Sequence, residues 1–169
     1  AEAMVAACAP VTAAVGFMYR HGDAVRRWQA SDTGRVGMMT GSYHCNALHT
    51  PWWRTRAKSG GQIVEQVIHL IDLVQHVMGQ PDTVYARRAN LFHRAVPGYD
   101  VEDVSSIVFG WDDGRIATLA ASNIAVPGRW TKRWSIFGEH LSGQFAGWND
   151  AVLTTTGAEP RDEIVAGDT

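Results

Sequence analysis

The spacing of hydrophobic positions along the chain changes at Pro81. Before it, apolar residues recur at helical spacing or in short runs, and the segment that begins GGQIVEQVIHLID at Gly60 is apolar on almost every side. Such a helix is expected to be buried, and Gly79 is expected to end it. The same reasoning predicts a modest amphipathic helix over residues 21–31 and a strand over residues 35–45.

Beyond Pro81, apolar and polar residues alternate between turn signals, which is the pattern of half-buried strands. The clearest signal is WDDGRI, where Asp113 and Gly114 lie between two apolar runs and predict a hairpin. We expect four to six sequential strands. Strands that follow helices, with a single βα alternation, favour an α+β fold: an open-faced, largely antiparallel sheet with helices packed on one face.

The two ends of the chain differ from its middle. The opening AEAMVAACA has helix-forming composition, Pro10 is expected to end that helix, and VTAAVGF over residues 11–17 is predicted to be a short buried strand. This abrupt beginning suggests the end of a preceding unit. Residues 160–169 form a polar tail that is expected to be frayed.

Composition excludes several classes of function. The chain has 169 residues, 46% hydrophobic and 19% charged, as in an ordinary globular domain. A net charge of -2 gives no reason to expect nucleic acid or an anionic membrane as partner, and no apolar run has the roughly 20 residues of a membrane span. Cys8 and Cys45 form no disulfide framework, and the first ten residues lack a basic segment, so a cytoplasmic location is predicted.

Four ionisable residues interrupt the apolar helix at regular intervals. At about 100° per residue, Glu65, His69, Asp72 and His76 fall on one face of a regular α-helix. A buried helix with such a stripe needs a polar cleft, a metal ion or compensating side chains beside it.

Three interpretations of this stripe remain open from the residues alone. His69 is a core histidine satisfied by a neighbouring carboxylate, or the stripe binds a metal, or His69 is a catalytic base that Glu65 orients. A carboxylate one helical turn away is expected to raise the basicity of a histidine. No His-Glu-x-x-His signature is present, so we predict no metal site.

Several segments resemble one known family in order and spacing. GGQIVEQVIHLIDL with MGQP after it is similar to the substrate-domain helix of the glucose–fructose oxidoreductase and inositol dehydrogenase family. VGFMYRHGDAV resembles that family's entry to the second domain, GRVGMMTGSYH its first sheet strand, and PWWR the loop before the helix in one branch. The resemblance covers residues 11–94, and the later strands carry no distinctive motif.

This resemblance implies hydride transfer between a nicotinamide cofactor, NAD or NADP, and a sugar, polyol or related alcohol. His69 matches the family's catalytic base. Glu65 occupies the acidic position, usually aspartate, that binds substrate hydroxyls. The resemblance therefore implies that His69 and Glu65 both take part in catalysis.

The family's nucleotide-binding features do not occur in the chain, which contains neither Gly-x-Gly-x-x-Gly nor Glu-Lys-Pro. We therefore interpret residues 1–17 as the remnant of a preceding nucleotide-binding domain and residues 18–159 as a substrate-binding and oligomerisation domain. The chain alone is expected to bind the cofactor weakly and to catalyse little. The alternative is a free-standing, non-catalytic sugar-binding or assembly module of the same fold.

Other residues are candidates for contact with a ligand. Aromatic faces suit the C–H surfaces of sugars, and arginine binds hydroxyls or an acid group, although core packing and structural ion pairs explain the same residues. Lys58 is a candidate for cofactor contact, and His49 belongs to the same loop region. Aromatic residues on the open sheet face are expected to mark a homo-oligomer interface. The candidate substrate contacts are Arg20, Tyr43, His44, Trp53 and Arg54.

Overall fold

The computed structural model describes residues 2–46, 50–125 and 127–167. Within them, short 3₁₀ turns occur at Tyr19–His21 and Pro51–Arg54, and a π-helical turn occurs at Ile63–Val67. The α-helices are α1 (Glu2–Cys8), α2 (Asp23–Gln29), α3 (Arg56–Ser59) and α4 (Ile68–Met78). The strands are β1 (Val36–His44), β2 (Thr83–Ala89), β3 (Val104–Gly110), β4 (Ile116–Ser122), β5 (Thr131–Gly138), β6 (Leu141–Ala146), β7 (Asp150–Thr155) and β8 (Asp162–Val165).

The eight strands form one sheet in the order β2-β3-β4-β1-β5-β6-β7-β8. Every neighbouring pair is antiparallel except β1 and β4, which run parallel with Met39 opposite Ala117. The predicted hairpin joins β3 to β4, and Gly114 takes the positive φ of 91° that its turn requires. The α+β class and the largely antiparallel, open-faced sheet are confirmed, whereas the expected four to six strands are too few.

The core lies between one sheet face and the helices. Alternate residues of each central strand point into it, as the two-residue period of a strand requires. The residue of β1 beneath the helix is Gly41, where a Cβ would lie 2.8 Å from Leu119 and 3.3 Å from Leu70. The absence of a side chain there lets α4 approach the sheet closely. Fully buried side chains of this core include Met39, Leu70, Leu73, Val74, Leu119, Ile136 and Leu153.

The main helix is not regular at its beginning. α3 ends at Gly60, whose φ is 77°, and Gly61 continues with a φ of 96°. The π-helical turn Ile63–Val67 follows and passes into α4, which ends at Gly79 as predicted. A π turn contains one more residue than an α turn and is frequent at functional sites. Among the described segments, no helix is long and apolar enough to span a membrane.

Both terminal predictions are wrong in part. Residues 11–17 form no strand, and Val11 and Val15 are 63% and 73% exposed. An apolar run becomes a strand only where a neighbouring strand completes its hydrogen bonds, and none of the described strands lies beside this run. Residues 162–165, expected to be frayed, pair with β7 as the edge strand β8, where Arg27 binds Glu163 through two hydrogen bonds of 2.6 and 2.8 Å.

Candidate functional site

His69 lies near the beginning of α4, on the side that faces the 3₁₀ turn Tyr19–His21. Its ring is half-buried and packs against Tyr19 at 5.4 Å between centroids and edge-on against Phe17 at 6.2 Å. Tyr19 in turn stacks on Trp134 of β5 at 5.1 Å, and burial raises the pKa of Tyr19 to about 12. The histidine is therefore held by aromatic packing on a rigid support.

His69 has no hydrogen-bond partner among the described residues, and its Nδ1 atom is buried. The interpretation as a core histidine requires a carboxylate partner, but Asp72 binds Arg20 instead, with Nε to Oδ2 at 2.9 Å and a second contact from NH2 to Oδ1. Buried polar atoms without a partner are uncommon in folded proteins. In the described part of the chain, His69 therefore lacks the carboxylate partner that the core-histidine interpretation requires.

The electrostatic surroundings of His69 differ from the prediction. Burial lowers its pKa from the ordinary value of 6.5, the positive charge of Lys132 lowers it further, and Asp72 acts in the opposite direction. The expectation that Glu65 raises the basicity of His69 is therefore wrong. The carboxylate that acts on the ring is that of Asp72, three residues after His69. A lowered pKa keeps the imidazole neutral and able to accept a proton at neutral pH.

Glu65 lies in the π-helical turn, not in the regular helix. The extra residue of that turn displaces Glu65 from the register expected for a stripe at 100° per residue. Burial raises the pKa of its carboxyl, and hydrogen bonds from Trp53 and Gln66 lower it. His76, at the other end of the predicted stripe, is exposed and contacts Gln29 at 2.9 Å. The stripe is therefore divided among three environments.

Lys132 of β5 is a member of the site that the sequence analysis missed. It lies opposite Tyr43 of β1 in the ladder and two residues before the buried Trp134, so it shares the helix-covered face. Its Nζ atom lies 5.6 Å from the centre of the Tyr43 ring, within the range of a cation–π contact. Because alternate residues of a strand share a face, the predicted burial of Trp134 is the signal that places Lys132, two residues earlier, on the same face.

Two of the predicted ligand contacts, Tyr43 and Trp53, lie near Lys132 or Glu65. Tyr43 is buried beneath Lys132, and its pKa is raised first by burial and then by the nearby ionisable groups of Tyr19, Cys45 and Glu65. Trp53 is half-buried, contacts Glu65 and packs against Trp130 at 5.7 Å. Tyr43 therefore lies beside Lys132, and Trp53 lies beside Glu65.

The other candidates are placed differently. Arg20 is engaged by Asp72, so the alternative of a structural ion pair is the one that the geometry supports. His44 pairs with Thr131 and Ser122 and points to the opposite sheet face from Tyr43, because successive strand residues alternate. Arg54 is half-buried in its 3₁₀ turn.

Two further predicted residues do not gain support. Lys58 is exposed on α3. His49 lies outside the described residues. Within the ranges that the structure describes, no three His, Cys, Asp or Glu side chains converge on a point where they could hold a metal ion.

Glu102 fixes the beginning of the helix that carries the site. Its side chain is 1% exposed and accepts hydrogen bonds from the Ile63 backbone N–H at 3.0 Å and from Arg56 at 2.8 Å. Arg88 lies 3.6 Å away. A Cβ on Gly61 would lie 2.6 Å from this carboxylate, which explains the glycine there. Burial opposes ionisation, but the Ile63 N–H and Arg56 hold the pKa of Glu102 below its ordinary value.

Replacing Lys132 by methionine is expected to raise the pKa of His69, because the variant removes a nearby positive charge that disfavours the imidazolium. The measurement is an NMR titration of the His69 ring protons in both proteins. Lys58→Met is the matched control, since Lys58 is an exposed lysine on α3 and is not among the groups that shift His69. An unchanged pKa in the Lys132 variant would contradict the placement of the ammonium beside the ring.

Solved structures of known proteins share the fold of this chain. Levoglucosan dehydrogenase in complex with NADH and L-sorbose superposes with a TM-score of 0.78 at 18% identity, covering 94% of this chain and 47% of that protein. UDP-N-acetylglucosamine 3-dehydrogenase from Acidithiobacillus ferrooxidans superposes with a TM-score of 0.75 at 20% identity, covering 99% of this chain and 52% of that protein. The chain thus spans about half the length of these structures.

Sequence comparison identifies the family directly. No curated protein matches the chain. The profile of the GFO/IDH/MocA C-terminal domain matches residues 23–142, which is more than half of the chain and includes the helix with Glu65 and His69. The resemblance seen in the sequence is thereby confirmed. The chain belongs to the GFO/IDH/MocA family, as a C-terminal domain.

Proposed function

We propose that this chain is the substrate-binding part of an NAD(P)-dependent oxidoreductase that acts on a sugar, polyol or related alcohol. The observation that carries the proposal is the half-buried imidazole of His69, which has no hydrogen-bond partner in the described part of the chain and packs against Tyr19 and Phe17. Family membership supports it, as do structural relatives whose complexes contain NADH and sugars.

In this proposal His69 acts as the proton acceptor for the substrate hydroxyl in the oxidation direction. Its lowered pKa keeps it neutral and ready for that proton. The nicotinamide cofactor, when bound, supplies the acceptor for the hydride. Glu65 binds a hydroxyl, and the ring of Trp53 covers a C–H surface of the sugar. In the reverse reaction, His69 returns the proton.

The chain's own residues do not fit a dinucleotide. A phosphate cradle requires a glycine-rich turn between a strand and a helix, and the sequence contains no Gly-x-Gly-x-x-Gly. The glycine pair before the main helix follows α3, not a strand, and the adjacent space is occupied by Glu102. We propose that the cofactor is held mainly by another part of the full-length protein, here called the parent enzyme.

The pH dependence of the parent enzyme tests the assignment of His69. For oxidation, kcat/KM is expected to rise with pH as the imidazole loses its proton, with an inflection below the ordinary value of 6.5 because the pKa of His69 is lowered. The measurement is the initial rate of nicotinamide reduction across the pH range. Glu65→Gln is the control, since a carboxyl with a raised pKa could titrate in the same range. Loss of the inflection in Glu65→Gln would contradict the assignment.

We also propose that the open sheet face joins two copies of the parent enzyme. Three exposed apolar side chains lie side by side on adjacent strands: Met38 and Phe137, each 41% exposed, and Ile116, 46% exposed. Apolar surface of this kind marks interfaces. Phe137→Lys is expected to give monomers in sedimentation velocity, whereas Val64→Lys, on the exposed side of the π-helical turn, should preserve the oligomer. A monomeric unmodified enzyme would contradict this proposal.

A further inference from the structure

Among the described residues, three arginines beside the main helix are paired with buried acids, whereas Lys132 is not. Arg20 binds Asp72, and Arg56 and Arg88 lie against Glu102. Lys132 forms no ion pair with any carboxylate in the described ranges of the chain. Its ammonium lies 5.6 Å from the centre of the Tyr43 ring.

The position of Lys132 makes this unusual. It is half-buried on the helix-covered sheet face, where its charge adds to the effect of burial in lowering the pKa of His69. Glu65, the acid assigned to the proposed site, forms no salt bridge with Lys132 among the described residues, and burial raises the pKa of its carboxyl. A partly desolvated charge without a counter-charge is costly, so the site is built for a ligand that brings one.

We propose that the substrate of this site carries an anionic group, a carboxylate or a phosphate, that pairs with Lys132. The inference rests on the proposed function, because it takes the surface around His69 as the substrate site. A lysine ammonium binds either group as a point charge. An aromatic face such as that of the half-buried Trp53 is suited to a sugar ring. The substrate class is therefore an acidic sugar or a sugar phosphate.

Binding to the chain itself tests this without any turnover. The probes are D-glucuronate, D-glucose 6-phosphate and neutral D-glucose, titrated by calorimetry into the unmodified chain and into Lys132→Met. At least one acidic probe is expected to bind at least about tenfold more tightly than D-glucose, and Lys132→Met is expected to remove that difference. ADP-ribose is the fourth probe, since the phosphates of a dinucleotide present the same chemistry.

A second readout follows the site directly. An acidic probe that neutralises Lys132 is expected to raise the pKa of His69 in an NMR titration, and D-glucose is expected to leave it unchanged. Lys58→Met serves as the control, because it removes an exposed lysine that is not among the groups that shift the pKa of His69.

Three results would overturn the proposal: D-glucose binding as tightly as both acids, an acid preference that survives in Lys132→Met, or dependence on Lys132 for ADP-ribose alone. Absence of saturable binding of either acid below about 50 mM would overturn it as well. The test of the anion site gives a result that is independent of the test of His69 as the catalytic base. Preference for an acid with unchanged turnover in a His69 variant would leave the anion site standing and remove the catalytic assignment.

Discussion

Replacing His69 by alanine in the parent enzyme is expected to lower kcat by about 10²- to 10⁴-fold, the usual contribution of a general base. The reason is that the half-buried imidazole of His69 is held against Tyr19, and its lowered pKa leaves it neutral at neutral pH. The measurement is the steady-state rate of nicotinamide reduction at saturating alcohol.

The matched control is His76→Ala, seven residues further along the same helix. That side chain is exposed and contacts Gln29, so its loss should leave kcat close to that of the unmodified enzyme. Equal losses in the two variants would indicate damage to the helix, and unchanged turnover in His69→Ala would remove this residue from the mechanism. Circular dichroism of both variants establishes that the helix is retained.

Replacing Glu102 by alanine is expected to lower the free energy of unfolding by about 2–4 kcal/mol. The variant leaves the Ile63 N–H without its partner, which costs about 1–3 kcal/mol for a buried group, and it opens a cavity beneath Gly61. The side chains of Arg56 and Arg88 are 36% and 53% exposed, so water replaces most of what they lose. Urea unfolding of the chain measures the difference.

Glu139→Ala is the control for this prediction, because that glutamate is half-exposed at the surface and pairs with Arg35. It is expected to change stability much less. The pKa of Glu102 is lowered in the folded state, so its contribution is present above its ordinary value of 4.5 and is lost as the pH falls through the folded-state pKa. Equal midpoints for the Glu102 variant and the unmodified chain at neutral pH would contradict the account.

The sequence was sufficient to predict the helix and the sheet class, since both depend on spacing alone. The apolar surface of residues 63–77 predicts a buried helix wherever its partner lies, and Gly79 ends it in the structure as expected. Alternation around Asp113 and Gly114 likewise gives a local hairpin. The strand β8 escaped prediction because an edge strand needs little apolar content when a neighbour such as β7 supplies its ladder.

The site could be predicted only in part, because its geometry depends on non-local contacts. His69 and Glu65 follow from the sequence pattern and the family resemblance, but the π-helical turn that separates their environments has no periodic signal. Lys132 is 63 residues beyond His69 and reaches it only through the pairing of β5 with β1. His44 was grouped with Tyr43 by proximity in sequence, whereas the alternation of β1 places it on the opposite face.

The most direct test of the central claim is to read the coding sequence immediately upstream of the codon for Ala1. If this chain is the substrate-binding part of a nicotinamide-dependent oxidoreductase, that reading frame continues upstream and encodes Gly-x-Gly-x-x-Gly after a strand, with Lys-Pro shortly before Ala1. A start codon directly before Ala1 would contradict the account and would make the surface around His69 the ligand site of a free-standing binding module.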